Sequence, residues 1–420
     1  MNNKIKLAVA GSVLALSASA NAGIVIPAGD WTIDINGNVN AFAIWSDSKD
    51  THTINGGMAQ TANALEDNDF SINTGLLPSW LGFTGTTRAN DLDVSFTISM
   101  QPGASTTAPL GGGGGNENRQ AFVTFGDKSW GTVKVGKDLG IFASTAILND
   151  MTLLGVGSQG VAGTSGGTTT TLGGIGTGYI YADWKGQISY TTPNMNGFQA
   201  TIGIVQPYDA TGSNTAASHN LATDVITAAT TVSAVNSGTH SQPGFEGQAS
   251  YSWTGDVGGK VWAGFAQQEM DDLGTNGTLG NESINVWELG ASVSAGNLNL
   301  VGYYYDGRGI GTTGFAYDGF NAVGERRDSD GGYVQATYVI PTGTKLGVSY
   351  GVSNLDKEGT VDATANMVEE NSRWTVGAYH PLTKNLNLVV EYNDMESEAM
   401  SASVEDVEQN NISVGAILFF

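Results

Sequence analysis

The residues able to do covalent or metal chemistry are few, and their spacing argues against both. The chain has no cysteine, which removes thiolate attack, disulfides and Cys–His metal sets. Its four histidines are His52, His219, His240 and His380. The first three fall in polar, loop-like stretches and His380 adjoins Pro381; none stands in a Ser/acid pattern that would make a triad. Gly111 to Gly115 is a glycine run without the following Gly-Lys-Ser/Thr of a phosphate loop, and reads as flexible loop. The run "MESEAMSASVEDVEQ" (395–409) reads as a solvated acidic loop whose oxygens could take Ca2+ or Mg2+. No enzyme emerges from this set, and no cofactor is implied.

Charge points the same way. With 17 Lys and Arg against 40 Asp and Glu, the formal net charge is −23, which excludes nonspecific nucleic-acid binding and favours attraction of cations. The first residues, "MNNKIKLAVAGSVLALSASANAG", carry a basic start, an apolar centre and Ala20-Asn21-Ala22 as a cleavage site. That pattern is a secretory signal peptide over 1–22, leaving 23–420 as the folded domain. Loss of Lys4 and Lys6 takes the charge from −23 to −25.

The elements that must position any site are strands. Trp31, Ile33, Ile35, Val39, Ala41, Ala43 and Trp45 alternate with Asp34, Asn36, Asn38 and Asn40. Leu92, Val94, Phe96, Ile98 and Met100 alternate with Asp93, Ser95, Thr97 and Ser99, and the chain closes on Ile412, Val414, Ala416, Leu418 and Phe420. A period of two with one apolar face is a β-strand. Segments of about ten residues match a tilted membrane strand better than the ~5–6 residues usual in soluble sheets. Seven tight-turn sequences, among them Gly296-Asn297 and Pro341-Thr342-Gly343-Thr344, alternate with eight long polar stretches. Sixteen strands result: an all-β, antiparallel transmembrane barrel with both termini on the short-turn rim. A soluble β-sandwich also alternates, but with shorter strands. Phe420 is expected to close the barrel by pairing the last strand with the first.

At this point the sequence resembles the trimeric general porins of Gram-negative outer membranes. The resemblance is carried by "LGFTGTT" (81–87), "NRQAFVTFGDKSWGTVKVGKD" (118–138), "NDM" (149–151) and "ISYTTPNMNGFQATIGI" (188–204). It implies export through the periplasm to the outer membrane, a homotrimer, and a channel passing ions and small hydrophilic solutes. It implies contact with lipopolysaccharide, whose phosphates loop-bound Ca2+ or Mg2+ could bridge. Phe420 matches the terminal residue read by the barrel-assembly machinery. The third long loop, 138–182, is expected to fold into the lumen. On it, Asp150 matches the constriction aspartate, and Arg119 matches an arginine of the facing wall. Three positions usually basic are Asn38, Trp80 and Asp183, and a second loop acid is replaced by Leu154. The pore should therefore be net negative and cation-preferring. Alternation also puts Lys134 and Lys185 in the lumen, whereas the strand from Arg119 to Phe125 reads ambiguously, with Phe122 in one set and Val123 and Phe125 in the other. A substrate-specific or ligand-binding barrel is the alternative.

Overall fold

The computed structural model describes the chain apart from residues 1–22, 49, 51, 60–67, 106–114, 160–169, 211–218, 221–224, 227–239, 274–279, 322 and 364. The signal segment and most of the glycine run therefore lie outside the described residues.

Sixteen antiparallel strands close into one barrel. In chain order they are β1 (Trp31–Ser48), β2 (Trp80–Ala89), β3 (Leu92–Pro102), β4 (Asn116–Asp127), β5 (Gly131–Leu139), β6 (Trp184–Thr191), β7 (Phe198–Val205) and β8 (Gly244–Trp253). They continue as β9 (Val257–Leu273), β10 (Gly280–Ala295), β11 (Leu298–Arg308), β12 (Asp328–Val339), β13 (Lys345–Leu355), β14 (Val368–Pro381), β15 (Leu386–Ala399) and β16 (Val407–Phe419). Short turns and long loops alternate as the sequence indicates. No helix among the described residues is long and apolar enough to cross a membrane.

The apolar alternates face outward. Val39, Trp45, Ile98, Ile412, Val414 and Leu418 are exposed on the outer surface, while Asn36, Asn38, Asn40, Ser95, Thr97 and Ser99 are buried inside. Several strands exceed the membrane: β1 has 18 residues, β9 has 17 and β10 has 16. Much of the acidic run is therefore strand rather than loop, since Met395–Ala399 belongs to β15 and Val407–Gln409 to β16.

Closure runs through β1. Its extracellular half pairs with β16, from Ser48↔Gln409 to Asn38↔Phe419. The short strand Ile24–Ala28 then takes over along its periplasmic half, from Ile24↔Ile35 to Ala28↔Trp31. Phe420 completes the seam: its N–H donates to the Gly37 carbonyl at 3.0 Å and its carbonyl accepts from the Gly37 N–H at 2.8 Å. Only glycine fits at 37, because a Cβ there would lie 2.0 Å from the Trp80 carbonyl.

The ambiguity at Arg119 has a structural cause. Ser99 pairs with Gln120, but Gln101 pairs with Glu117, so β4 carries one extra residue. This β-bulge flips parity within the strand. Gln120 and Phe122 face inward below it, and Arg119 faces inward above it. The Arg119 N–H donates to Gln101 Oε1 at 2.9 Å.

Candidate functional site: the inward loop and its wall

The chain leaves β5 at Leu139 and re-enters the barrel wall at Trp184. Between them it folds inward, and the Gly140 N–H bonds the Asp183 carbonyl at 2.8 Å to close the loop's neck. Backbone N–H groups in such a loop have no sheet partner and must be satisfied individually. Wall carboxylates do this. Glu246 on β8 accepts from Ile141 N at 2.6 Å and Phe142 N at 3.0 Å, and Glu288 on β10 accepts from Ala143 N at 3.1 Å. Glu391 on β15 accepts from Val156 N at 2.8 Å and Gly157 N at 2.9 Å, and from the Tyr379 hydroxyl at 2.6 Å.

Between these grips lie a short helix, α1 (Ser144–Asn149), and a 3-10 turn, Met151–Leu154. Neutral side chains dock them. Gln335 on β12 accepts from Met151 N and donates to the Asn149 carbonyl, and the Tyr333 hydroxyl donates to the Ala146 carbonyl. Ser353 on β13 accepts from Gly178 N at 2.9 Å. The loop is thus fastened along the wall from β8 to β16, and Arg119 on β4 reaches its Thr170 at 3.4 Å from the opposite side. A second inward segment, 74–79 of the first long loop, joins it: Leu76 N donates to the Gly155 carbonyl at 2.9 Å.

A barrel of sixteen strands narrowed from within by its third long loop is the geometry of a passive channel. The family model for Gram-negative porins matches residues 7–399. The chain belongs to that family. Among solved structures, the porin is similar to the anion-selective porin from Comamonas acidovorans, with TM-score 0.61, 16% identity, and coverage of 93% of this chain and 100% of that one. It is similar to the outer membrane channel DcaP of Acinetobacter baumannii, with TM-score 0.64, 13% identity, and coverage of 94% and 99%. The trimer form of OmpT of Vibrio cholerae aligns with TM-score 0.52 and 13% identity over 93% and 99%. At such identities these likenesses show the fold alone. By sequence, no curated protein matches the chain.

Asp150 and Arg119 each have partners of their own in this porin. Asp150 is not a bare carboxylate facing Arg119. It is 5% exposed; Oδ1 caps the 3-10 turn by accepting from Thr152 N, and Oδ2 accepts from Gly174 N at 3.0 Å and the Tyr179 hydroxyl at 2.8 Å. Its ionic neighbour is Arg373 on β14, 4.0 Å away. Arg119 pairs instead with Glu117 at 2.7 Å and lies over the Trp184 ring. Lys134 and Lys185 do face the lumen, but paired with Asp138 and Glu246 respectively.

The three departures from the usual basic wall are also occupied structurally. Asn38 donates to the Pro78 carbonyl at 2.9 Å and so holds the inward 74–79 segment. Trp80 is buried beneath that segment. Asp183 takes a left-handed φ of 56° at the loop's base, and its carboxylate accepts from Trp184 N at 2.6 Å.

Sequence reasoning missed Arg373 and the loop-holding roles of Glu288 and Glu391. A signal existed: Glu288 stands between Trp287 and Leu289, Glu391 between Val390 and Tyr392, and Arg373 two residues before Thr375 opposite Trp374. A charge flanked by two lipid-facing residues points inward. No group of three His, Asp or Glu among the described residues could hold a metal ion, so the idea of loop-bound Ca2+ or Mg2+ gains no coordination site. His52, His240 and His380 engage the Glu405 carbonyl, Asp209 and Thr344 respectively, not one another.

Proposed function

We propose that this porin is a diffusion channel for ions and small hydrophilic solutes, weakly cation-preferring, with no covalent chemistry. It is exported after removal of 1–22 and assembles as a homotrimer, in keeping with the trimeric porins it resembles; Edman sequencing of the mature chain should begin at Gly23. One observation carries the selectivity reading. Several charges around the inward loop are paired, Arg119 with Glu117, Lys185 with Glu246 and Lys134 with Asp138, while Arg373 stands 4.0 Å from Asp150. At the extracellular rim Arg308 pairs with Asp328 and Lys357 with Glu369, but other carboxylates lie opposite one another.

There, like charges face each other across the sheet: Asp306↔Asp330, Glu370↔Glu398 and Glu396↔Glu408. Such pairs are mutually destabilising. In the adjoining loop, partial burial raises the Asp356 carboxyl above its ordinary value, and Asp330, Asp328 and Glu369 push it further. The mouth, rather than Asp150, supplies the field that concentrates cations.

Exposed charges are screened over ~10 Å at 0.1 M salt and ~3 Å at 1 M. Reversal potentials in KCl gradients should therefore report cation preference near 0.1 M that largely vanishes near 1 M. Glu396→Gln with Glu398→Gln should reduce it at low salt. An anion-selective wild type would refute the reading, as it would place this porin with the Comamonas relative. Preference undiminished at 1 M would return the filter to the lumen.

A further inference from the structure

Between the inward loop and the opposite wall lies a cavity of about 120 Å3. Its lining is mostly apolar: Leu77 from the first loop, Leu148, Leu153 and Leu172 from the third, and Trp184 from β6. These leucines also belong to the apolar cluster that packs the two inward segments together. Apolar cavities of about 150 Å3 stay dry and accept a benzene-sized guest, so this one suits a single small ring.

The cavity has one charged lining residue, Arg119. The bulge in β4 turns this guanidinium inward, 5.9 Å from the centre of the Trp184 ring. Its ion-pair partner Glu117 has a side chain 43% exposed, while that of Arg119 is 8% exposed. A carboxylate entering with its ring in the cavity would exchange with Glu117, which water can take back, and would gain the planar two-point contact guanidinium offers.

We propose that this cavity is a solute subsite for compact ring carboxylates, of which benzoate is the simplest. Ring and head group are both needed: the ring leaves water for the leucine surface, and the head group meets Arg119. This rests on the channel reading above and adds a preferred solute class to it.

Single-channel recording in KCl, with benzoate or acetate added at equal concentration, tests it. Benzoate should produce concentration-dependent interruptions of the current, and acetate none. Leu148→Trp fills the cavity and should weaken the benzoate effect at least tenfold. Arg119→Gln keeps the cavity and should weaken it about tenfold, and it serves if the tryptophan variant does not assemble. Equal responses to benzoate and acetate in a conducting wild type would overturn the subsite and leave the channel standing. Wild-type benzoate sensitivity in Arg119→Gln would also overturn it. Inserted protein that passes no current would remove the channel reading and the subsite with it.

Discussion

Glu391→Ala should raise single-channel conductance and current noise while leaving the barrel folded. The carboxylate is buried at the wall and accepts three hydrogen bonds, from Val156 N, Gly157 N and the Tyr379 hydroxyl. Hydrogen bonds to a charged group contribute about 1.5–3 kcal/mol each, and a buried donor left without a partner costs about 1–3 kcal/mol. Truncation therefore removes the acceptor from two adjacent loop N–H groups at once. These can be satisfied again only by water, which means the turn must leave the wall.

The fit is close: a Cβ on Gly155 would lie 2.0 Å from Glu391 Oε1, so the turn needs glycine there. Remaining ties, such as the Asn411 amide to the Gly157 carbonyl at 3.2 Å, hold fewer groups. The strands keep their own ladders, so heat-modifiable barrel should persist. Glu391→Gln retains one acceptor oxygen and should fall between wild type and alanine. Conductance and noise unchanged in the alanine variant would mean that the loop is held without this residue.

The barrel was legible in the sequence because lipid and lumen impose opposite preferences on successive residues. That rule holds residue by residue in β3, whereas β1 and β16 also turn the apolar Phe42, Ile44 and Ile417 inward. It failed where the backbone broke period two. The extra residue in β4 puts Arg119 and Gln120 on one side, and no sequence feature announces a bulge. Polar character was also mistaken for loop at 395–409, because strands that rise above the membrane lose their lipid-facing signal while keeping their pairing.

The inward loop was legible as a loop from its residues, and as an interior only through the family resemblance; its anchors were not legible. Its partners are remote, Glu391 lying 235 residues from Val156 and Gln335 184 residues from Met151. Spacing carries no information at that range. Family likeness supplied Asp150 as a site residue, yet its neighbours decide its role. Thr152 N, Gly174 N and the Tyr179 hydroxyl tie its carboxylate into the loop.

Phe420→Ala should lower the amount of assembled barrel in outer membranes several-fold, with little change in the heat resistance of whatever assembles. The two effects separate because the residue does two jobs with different atoms. Its backbone closes the seam through both bonds to Gly37, and alanine keeps those. Its ring reaches Gly37 on an otherwise smooth part of the seam, where a Cβ on Gly37 would lie 3.0 Å from it. Losing part of a half-buried ring costs the finished barrel little, since β16 remains paired with β1 and β15 along its length. Before closure, however, β16 is an open edge whose unpaired N–H and C=O groups must be delivered to β1 without aggregating. The recognition of Phe420 by the assembly machinery that the resemblance implies would belong to that stage. Deletion of Phe420 supplies the contrast, because it removes the closing hydrogen bonds as well and should lower heat resistance too. Wild-type amounts of barrel from Phe420→Ala would separate the ring from assembly; equal heat resistance after deletion would show that the seam closes without the last residue.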